Sequence, residues 1–568
     1  MSRWLVVPLG VLLLALPFSC ATAQDEAAKD RQRQARKPLL KALDRDGDGV
    51  LSQKEIKDAA AVLQTFDRNG DGRLSRDEMR QRTSRSGSGR SRPDGGDRDR
   101  RRTTGAGGKE SAPAGRLLLG RPTDTEITVN ILPDKDLEAF FEYGETAGGY
   151  AHRTDTVLLR ADAPVEQVLD GLKPNRRYYY RMCYRAPGTD RFFEGRECTF
   201  HTRRPPGSTF VFALQGDSHP ERYGKMYDPD LYLTTMNNVS KDRPDFYLTL
   251  GDDFSLERLI NRNQLSQPNV DQVYAHQRTF LGIVGRSSPL FLVNGNHECA
   301  AGYLLDGTAN NPAVLAGRAR TRFYSLPAPD AFYGGDSKQV DFVGLLRDYY
   351  AWTWGDALFV VMDPYWHSPV PVDSSGGTRQ RDSSSKEGGK AGGRKNRDKW
   401  AMSIGGKQYR WFKKTLEQSK ARYKFVFAHH VSGTGRGGVE VADLYEWGGK
   451  SKNGTWEFEE KRPGWALPIH QVMVKNGVTI FFQGHDHLFA RQELDGVVYQ
   501  EAPNPADSTY QAFNRQAYRS GDILPNSGHL RVTVSPSEVK VDYIRAFLPS
   551  DETEDHKNGD IAFSYSCQ

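Results

Sequence analysis

The sequence predicts a multidomain protein in which a large α/β domain follows an all-β sandwich and a small all-α unit. Three observations carry that reading. Between Ser208 and Pro549, five apolar strand-like runs each end in Asp, Asn or His, and helical patterns fill the gaps. Residues 115–204 hold short strand patterns separated by turn residues, the mark of an all-β unit. Residues 24–80 repeat one acidic loop pattern twice, with a helical stretch from Gln53 to Thr65 between the copies. At roughly 150 residues per domain, a chain of 568 residues has room for three to four such units.

Met1 to Ala23 carries Arg3, an apolar run from Trp4 to Phe18 and then Ala21-Thr22-Ala23, the order of a secretory signal with a small-x-small cleavage site. The run falls short of the roughly 20 residues that cross a bilayer. The mature protein is therefore expected to be secreted or periplasmic and not membrane-spanning. Cys20 follows Pro17 where a lipid-attachment sequence wants an aliphatic residue, which argues against an anchor there. Export leaves Cys183, Cys198, Cys299 and Cys567. Cys183 and Cys198 flank a turn at Pro187-Gly188-Thr189-Asp190, and both a bridge between them and four unpaired thiols fit the sequence.

In the 24–80 unit, Asp44, Asp46, Asp48, Ser52 and Glu55 stand at positions 1, 3, 5, 9 and 12 of one loop, with Gly49 at position 6. Asp67, Asn69, Asp71, Ser75 and Glu78 repeat the spacing around Gly72. That spacing wraps oxygens around one point while the glycine permits the sharp turn, which suits Ca2+. The unit resembles paired EF-hands, with two calcium sites. Its short linking helix favours a compact anchoring module over a switch, for attachment to a surface or polymer.

Charged residues make up 26%, hydrophobic residues 37% and aromatic residues 11% of the chain, an ordinary globular composition. The formal net charge is +6, but Gln81 to Glu110 holds nine Lys or Arg against four Asp or Glu and supplies most of it. The folded parts are close to neutral. The 81–114 segment has too little apolar surface to offset chain entropy and reads as a disordered basic linker. A second such insert, 373–399, reads as a surface loop. Neither has interleaved aromatics to stack on bases, so specific nucleic-acid binding is not expected.

Within 115–204, strands are expected at Glu126 to Leu132 and Ala139 to Tyr143. Leu172, Pro174, Tyr178 and Tyr180 resemble the L-x-P-x-x-x-Y-x-Y signature of fibronectin type III sandwiches, whose tyrosine locks the corner between two strands.

The chemistry lies in 208–549. Phe210 to Leu214 runs into Gly216-Asp217-Ser218-His219, Phe246 to Leu250 into Gly251-Asp252-Asp253, and Leu290 to Val293 into Gly295-Asn296-His297-Glu298. Phe425 to Ala428 runs into His429-His430, and Val478 to Phe482 into Gly484-His485-Asp486-His487. Open α/β sheets place ligands at such carboxyl ends. Gln408 to Leu416 is a helical pattern with Trp411, Phe412 and Leu416 on one face. The ordered set resembles the calcineurin-like metallophosphoesterases, whose motifs run D-x-H, G-D, G-N-H-[DE], H and G-H-x-H. The resemblance implies a four-layer α-β-β-α sandwich. It implies that Asp217, His219 and His487 hold one metal, that Asn296, His429 and His485 hold another, and that Asp252 bridges them. These donors suit divalent or trivalent Fe, Mn or Zn. It further implies hydrolysis of a phosphate ester by a metal-bridging hydroxide, with His297 protonating the leaving oxygen and Glu298 orienting His297. His430 is expected at the phosphate, or as the ligand if the register at His429 is off by one.

A fibronectin-like domain before this core is also the layout of purple acid phosphatases, but those carry a tyrosine ligand where this chain has Ser255 and lack a histidine at the place of His219. After the last motif, Leu530 to Val534 and Val539 to Tyr543 read as a hairpin closing the second sheet, and 550–568 as a polar tail. The expected function is a secreted metal-dependent phosphoesterase. The competing reading is a calcium-dependent surface- or polymer-binding protein whose metal site is structural and performs no catalysis. Monoester or diester preference depends on the loops Gly302 to Gly335 and Gly437 to Gly464.

Overall fold

The computed structural model describes residues 116–372, 398–431 and 435–568. The signal segment, both calcium loops, the basic linker and nearly all of the 373–399 insert lie outside the described residues.

Each motif strand is apolar on both faces, and parity sorts its side chains. Phe210, Phe212 and Leu214 point into a core between two sheets, while Ala213 meets helices outside. Phe359 and Val361 enter the same inner core from the other sheet, and Leu358, Val360 and Met362 pack outward. One sheet has six strands in the order Leu290–Leu292, Phe246–Thr249, Phe210–Gln215, Gly528–Val534, Val539–Arg545 and Ile561–Cys567, the first three parallel. The other runs Gly334–Gly335, Tyr350–Trp354, Ala357–Val361, Tyr423–Phe427, Ile480–Gln483, Val497–Glu501, Phe489–Leu494 and Asp522–Leu524. Aromatic rings join the sheets: Phe291 stacks on Trp352 with centroids 4.1 Å apart, and Phe212 meets Phe359 edge-on at 5.2 Å.

Helices Pro229–Asp242, Gln267–Gly285 and Pro312–Phe323 pack on the outer face of the six-stranded sheet. Gly406–Gln418 and Ile469–Lys475 pack on the eight-stranded one, the former through Tyr409, Phe412 and Leu416 with Trp411 half-buried beside them. No helix among the described residues is long and apolar enough to cross a membrane.

Before this domain, Leu117–Gly120, Ile127–Ile131 and Val165–Leu169 form one sheet. A second is built on Leu137–Gly144 and Arg177–Arg185, with Val157–Leu159 and Cys198–His201 among their partners. The Tyr178 hydroxyl accepts the Lys173 amide at 2.9 Å, fastening the turn before its strand. Arg278, on helix Gln267–Gly285, ties this unit to the α/β domain. Its buried guanidinium donates to Asn130 Oδ1 at 2.7 Å, the Asn130 carbonyl at 3.0 Å, the Arg116 carbonyl at 3.1 Å and the Phe323 carbonyl. Burial lowers its pKa to about 10, which leaves it charged at neutral pH.

Two expectations, the hairpin's sheet and the polar tail, change, and two open points, the division of the motif strands and the state of the cysteines, are decided. Three of the motif strands lie in one sheet and two in the other. The 528–545 hairpin extends the sheet of the first three motifs, because Gly528–Val534 pairs antiparallel with Phe210–Gln215. Part of the polar tail is a strand: Phe563, Tyr565 and Cys567 alternate with serines, pair with Val539–Arg545 and rest half-buried on the core. Cys183 and Cys198 are free thiols, since Cys198 lies opposite Tyr180 and Cys183 opposite Phe140 and Glu194.

Arg278→Met should destabilise the protein by about 3 kcal/mol, because several buried carbonyls lose their donor at once, whereas Tyr178→Phe should cost only about 1 kcal/mol. Urea unfolding of both variants measures the difference; equal losses would mean that Arg278 does not fasten the two units.

Candidate metal centre

The five motifs come together at the carboxyl ends of the parallel strands. Glycines permit the approach: a Cβ on Gly295 would stand 2.2 Å from Asp252 Oδ1, and one on Gly484 2.6 Å from Asp217 Oδ1. His219, Asp252, His485 and His487 all adopt positive φ, between 48° and 80°, so unfavourable backbone geometry is concentrated here.

Two overlapping sets result. His487 Nε2 lies 3.0 Å from Asp217 Oδ2 and 3.0 Å from His219 Nε2. His429 Nε2 lies 3.1 Å from Asn296 Oδ1 and 3.1 Å from His485 Nδ1. Asp252 Oδ2 stands between them, 3.3 Å from His429 Nε2 and 3.6 Å from His219 Nε2. All seven residues are buried. Two of the imidazoles are held from behind: His429 Nδ1 by the Leu250 carbonyl at 2.7 Å, and His219 Nδ1 by Glu221 Oε1 at 2.9 Å. Asp217 Oδ1 accepts the His485 amide at 2.7 Å, and Asp252 Oδ1 the His297 amide at 2.8 Å. Such backing fixes which atom faces the centre.

The electrostatics reflect acids and imidazoles crowded together out of water, where carboxylates and protonated rings offset one another until a cation displaces the ring protons. Burial favours the neutral acids, yet His429 beside both Asp217 and Asp252 helps hold their carboxyls well below the usual range. Burial pushes His487 down to about 4, leaving it a neutral donor. His219 is pushed up to about 10, burial being outweighed by Glu221 and Asp217. Imidazole nitrogens crowded onto carboxylate and amide oxygens out of water form a donor set that fits a binuclear site.

His297 lies on the rim, Nε2 3.8 Å from Asp252 Oδ2. The expectation that Glu298 orients it is not met. Glu298 accepts the amides of Asp253 at 2.7 Å, Phe254 at 3.2 Å and Gly295 at 2.8 Å, which stitches the second and third motif loops together. The carboxylate facing His297 is Glu257, with Oε1 3.2 Å from Nδ1. Arg222 approaches Nε2 at 3.2 Å. Arginine can only donate, so Nε2 accepts and the ring proton of a neutral His297 sits on Nδ1, toward Glu257. His430 is buried, stacked on Tyr365 and 3.0 Å from its hydroxyl, while His429 takes the ligand position. Ser255 receives the Glu257 amide at 3.4 Å. Sequence reasoning missed Glu221 and Arg222, although both directly follow the D-x-H motif. It missed Glu257 because a short helix turn, not a motif, brings it back.

A family model described as calcineurin-like phosphoesterase matches residues 210–489, and an EF-hand model matches 36–58 and 59–81. Among solved structures the chain is similar to one described as PhoD, at 16% identity and TM-score 0.54, over 82% of this chain and 92% of that one. It is also similar to the purple acid phosphatase PPD1 of yellow lupin (Lupinus luteus), at 17% identity and TM-score 0.49, over 79% and 73%. No protein of curated function matches. The chain carries a calcineurin-like phosphoesterase domain preceded by an EF-hand pair. It is a metal-dependent phosphoester hydrolase.

Glu257→Gln should lower turnover roughly 10- to 100-fold, the scale of lost outer-shell support, with an unchanged melting temperature. Glu298→Ala should instead lower the melting temperature, because three buried amides lose their acceptor. The reverse pattern would return the orienting role to Glu298.

Proposed function

We propose that this protein is an exported dinuclear phosphoesterase. The observation that carries the reading is the position of Asp252 Oδ2 within 3.6 Å of a nitrogen from each ligand set. Asp217, His219 and His487 would hold one ion, Asn296, His429 and His485 the other, and Asp252 both. Fe, Mn or Zn suits this mixture of carboxylate, imidazole and amide oxygen. When bound, such a pair activates water and takes up charge on the phosphoryl group.

The chain's own residues supply the rest. Arg222, partly exposed beside His297, binds a phosphate oxygen. That contact draws the guanidinium off His297 Nε2, which in the protonated ring donates to the leaving oxygen. Glu257, its Oε1 3.2 Å from Nδ1, sets a negative charge beside that nitrogen and keeps the ring aimed. His430, set by Tyr365, lies next to His485 and completes the phosphate side of the pocket.

The packing of helices outside each of two facing sheets supports the four-layer reading. The Tyr178–Lys173 bond and the paired sheets before it support a fibronectin type III-like domain over 115–204. Domain limits of 24–80, 81–114 and 208–568 follow, the last extended to include the final strand. The EF-hand pair binds two calcium ions and, with the all-β domain, attaches the enzyme to a surface or polymer. The signal-like segment before it directs export.

Asp252→Asn should reduce turnover below about a tenth of wild type, since one substitution weakens both ions. A variant retaining more than that, with metal content unchanged, would remove Asp252 from the bridge. His297→Ala should lower turnover by about two to four orders of magnitude, the range of general acid catalysis. The loss should shrink for esters with good leaving groups, measured over a series of aryl phosphates. A uniform loss across the series would take the acid role from His297.

A further inference from the structure

A second group of metal-competent side chains lies at one edge of the eight-stranded sheet. Asp336 follows Gly334–Gly335, Asp348 precedes Tyr350–Trp354, and Asp363 and His367 follow Ala357–Val361. The three carboxylates are buried and His367 is 15% exposed at its side chain. His367 Nε2 lies 2.8 Å from Asp348 Oδ2 and 4.0 Å from Asp336 Oδ2. Donors bonded at about 2.0–2.2 Å to a common cation stand at separations of this order. The spans at the main centre, 3.0 to 3.6 Å, fall between the two values. None of these residues takes part in the centre described above.

Two features set the group apart from a closed ion-pair network. Asp336 Oδ2, aimed at His367, and Asp348 Oδ1 are both buried without a hydrogen-bond partner. The neighbouring oxygens are all engaged. Asp336 Oδ1 accepts the Lys338 amide at 2.9 Å and Lys407 Nζ at 2.6 Å, and Asp363 accepts Asn294 Nδ2 at 2.6 Å and the Tyr365 amide at 2.6 Å. Charge is also unbalanced. Three carboxylates face one ammonium, Lys407, and they raise the His367 pKa against its burial, yet even with that ring protonated they outnumber the cations, an excess that a bound cation would offset.

We propose that Asp336, Asp348 and His367 bind a third, separate metal ion, a divalent transition metal. Two carboxylates and an imidazole suit Zn2+, Mn2+ or Fe2+. Lys407, whose side chain is 53% exposed, is the group of this cluster that reaches solvent. Beside the site, Asp363 accepts Asn294 Nδ2 at 2.6 Å, two residues before Asn296. The site stands or falls independently of the catalytic reading.

The test is anomalous diffraction at the zinc edge from crystals of the full chain grown with zinc, beside a metal count in solution with calcium in excess. The expected map has a peak within bonding distance of His367 Nε2 in addition to those at the main centre. The double variant D348N/H367A should lose that peak alone, and its zinc content should fall by one ion per chain. No peak at His367, under zinc that fills the main centre, would overturn the proposal. So would a peak that survives the double variant, which would mark an adventitious ion only. If the variant does not fold, the wild-type map decides. A peak at His367 with an empty main centre would sink the dinuclear reading and leave this one standing.

Discussion

Seven candidate ligand groups crowd together with Asp252 Oδ2 between the two sets, and most of the domain serves to keep them there out of water. Imidazoles and carboxylates packed at 3.0 to 3.6 Å do not gather spontaneously; desolvation and, among the acids, repulsion oppose it. The opposing force comes from the backbone. Strand ends deliver the groups, positive-φ residues aim them, and glycines at 295 and 484 let the loops close to within reach of Asp252 and Asp217. Glu298 adds three amide bonds across the second and third motif loops, fixing the distance between Asp252 and Asn296.

Rigidity behind those loops comes from the inner core. Phe212, Phe246, Phe291, Trp352, Phe359 and Phe482 meet between the two sheets, so neither sheet can slide without separating stacked or edge-on rings. Because two motif strands belong to one sheet and three to the other, the metal centre spans that interface. Its geometry is only as fixed as the packing beneath it. Arg278 extends the same frame outward, since its guanidinium joins helix Gln267–Gly285 to both Arg116 and Asn130 of the all-β unit.

The charged groups form a graded arrangement. Innermost lie the ligands; behind them stand Glu221, Glu257 and Arg222, which set tautomers and face the opening. Asn294, in the loop of the third motif, donates to Asp363, which follows the strand Ala357–Val361 as His367 does, so the second cluster lies near that loop in the fold. Burial makes each of these contacts stronger than it would be in water and makes any unpaired partner costly.

How much was legible in the sequence follows from how local the information is. The motif strands were visible because strands buried on both faces must be apolar throughout, and their ligands because each sits directly after its strand. The EF-hand pattern around Glu55 is local in the same sense, its spacing being contained in twelve positions. The sequence alone could not divide the five strands between two sheets, since pairing is decided by contacts hundreds of residues apart, such as Phe210 with Val534. It could not show that Ile561–Cys567 completes a sheet, because an edge strand alternates too weakly to stand out from a polar tail. Nor could it choose between Glu298 and Glu257 as the partner of His297. The adjacent residue looked nearer, but left-handed turns at Asp252 and the close approach at Gly295 direct Glu298 to the backbone. Sequence thus determined which chemically competent groups the strand ends carry. Only the tertiary structure decided which of them face one another, because side-chain partners across the centre depend on how two sheets pack and not on distance along the chain.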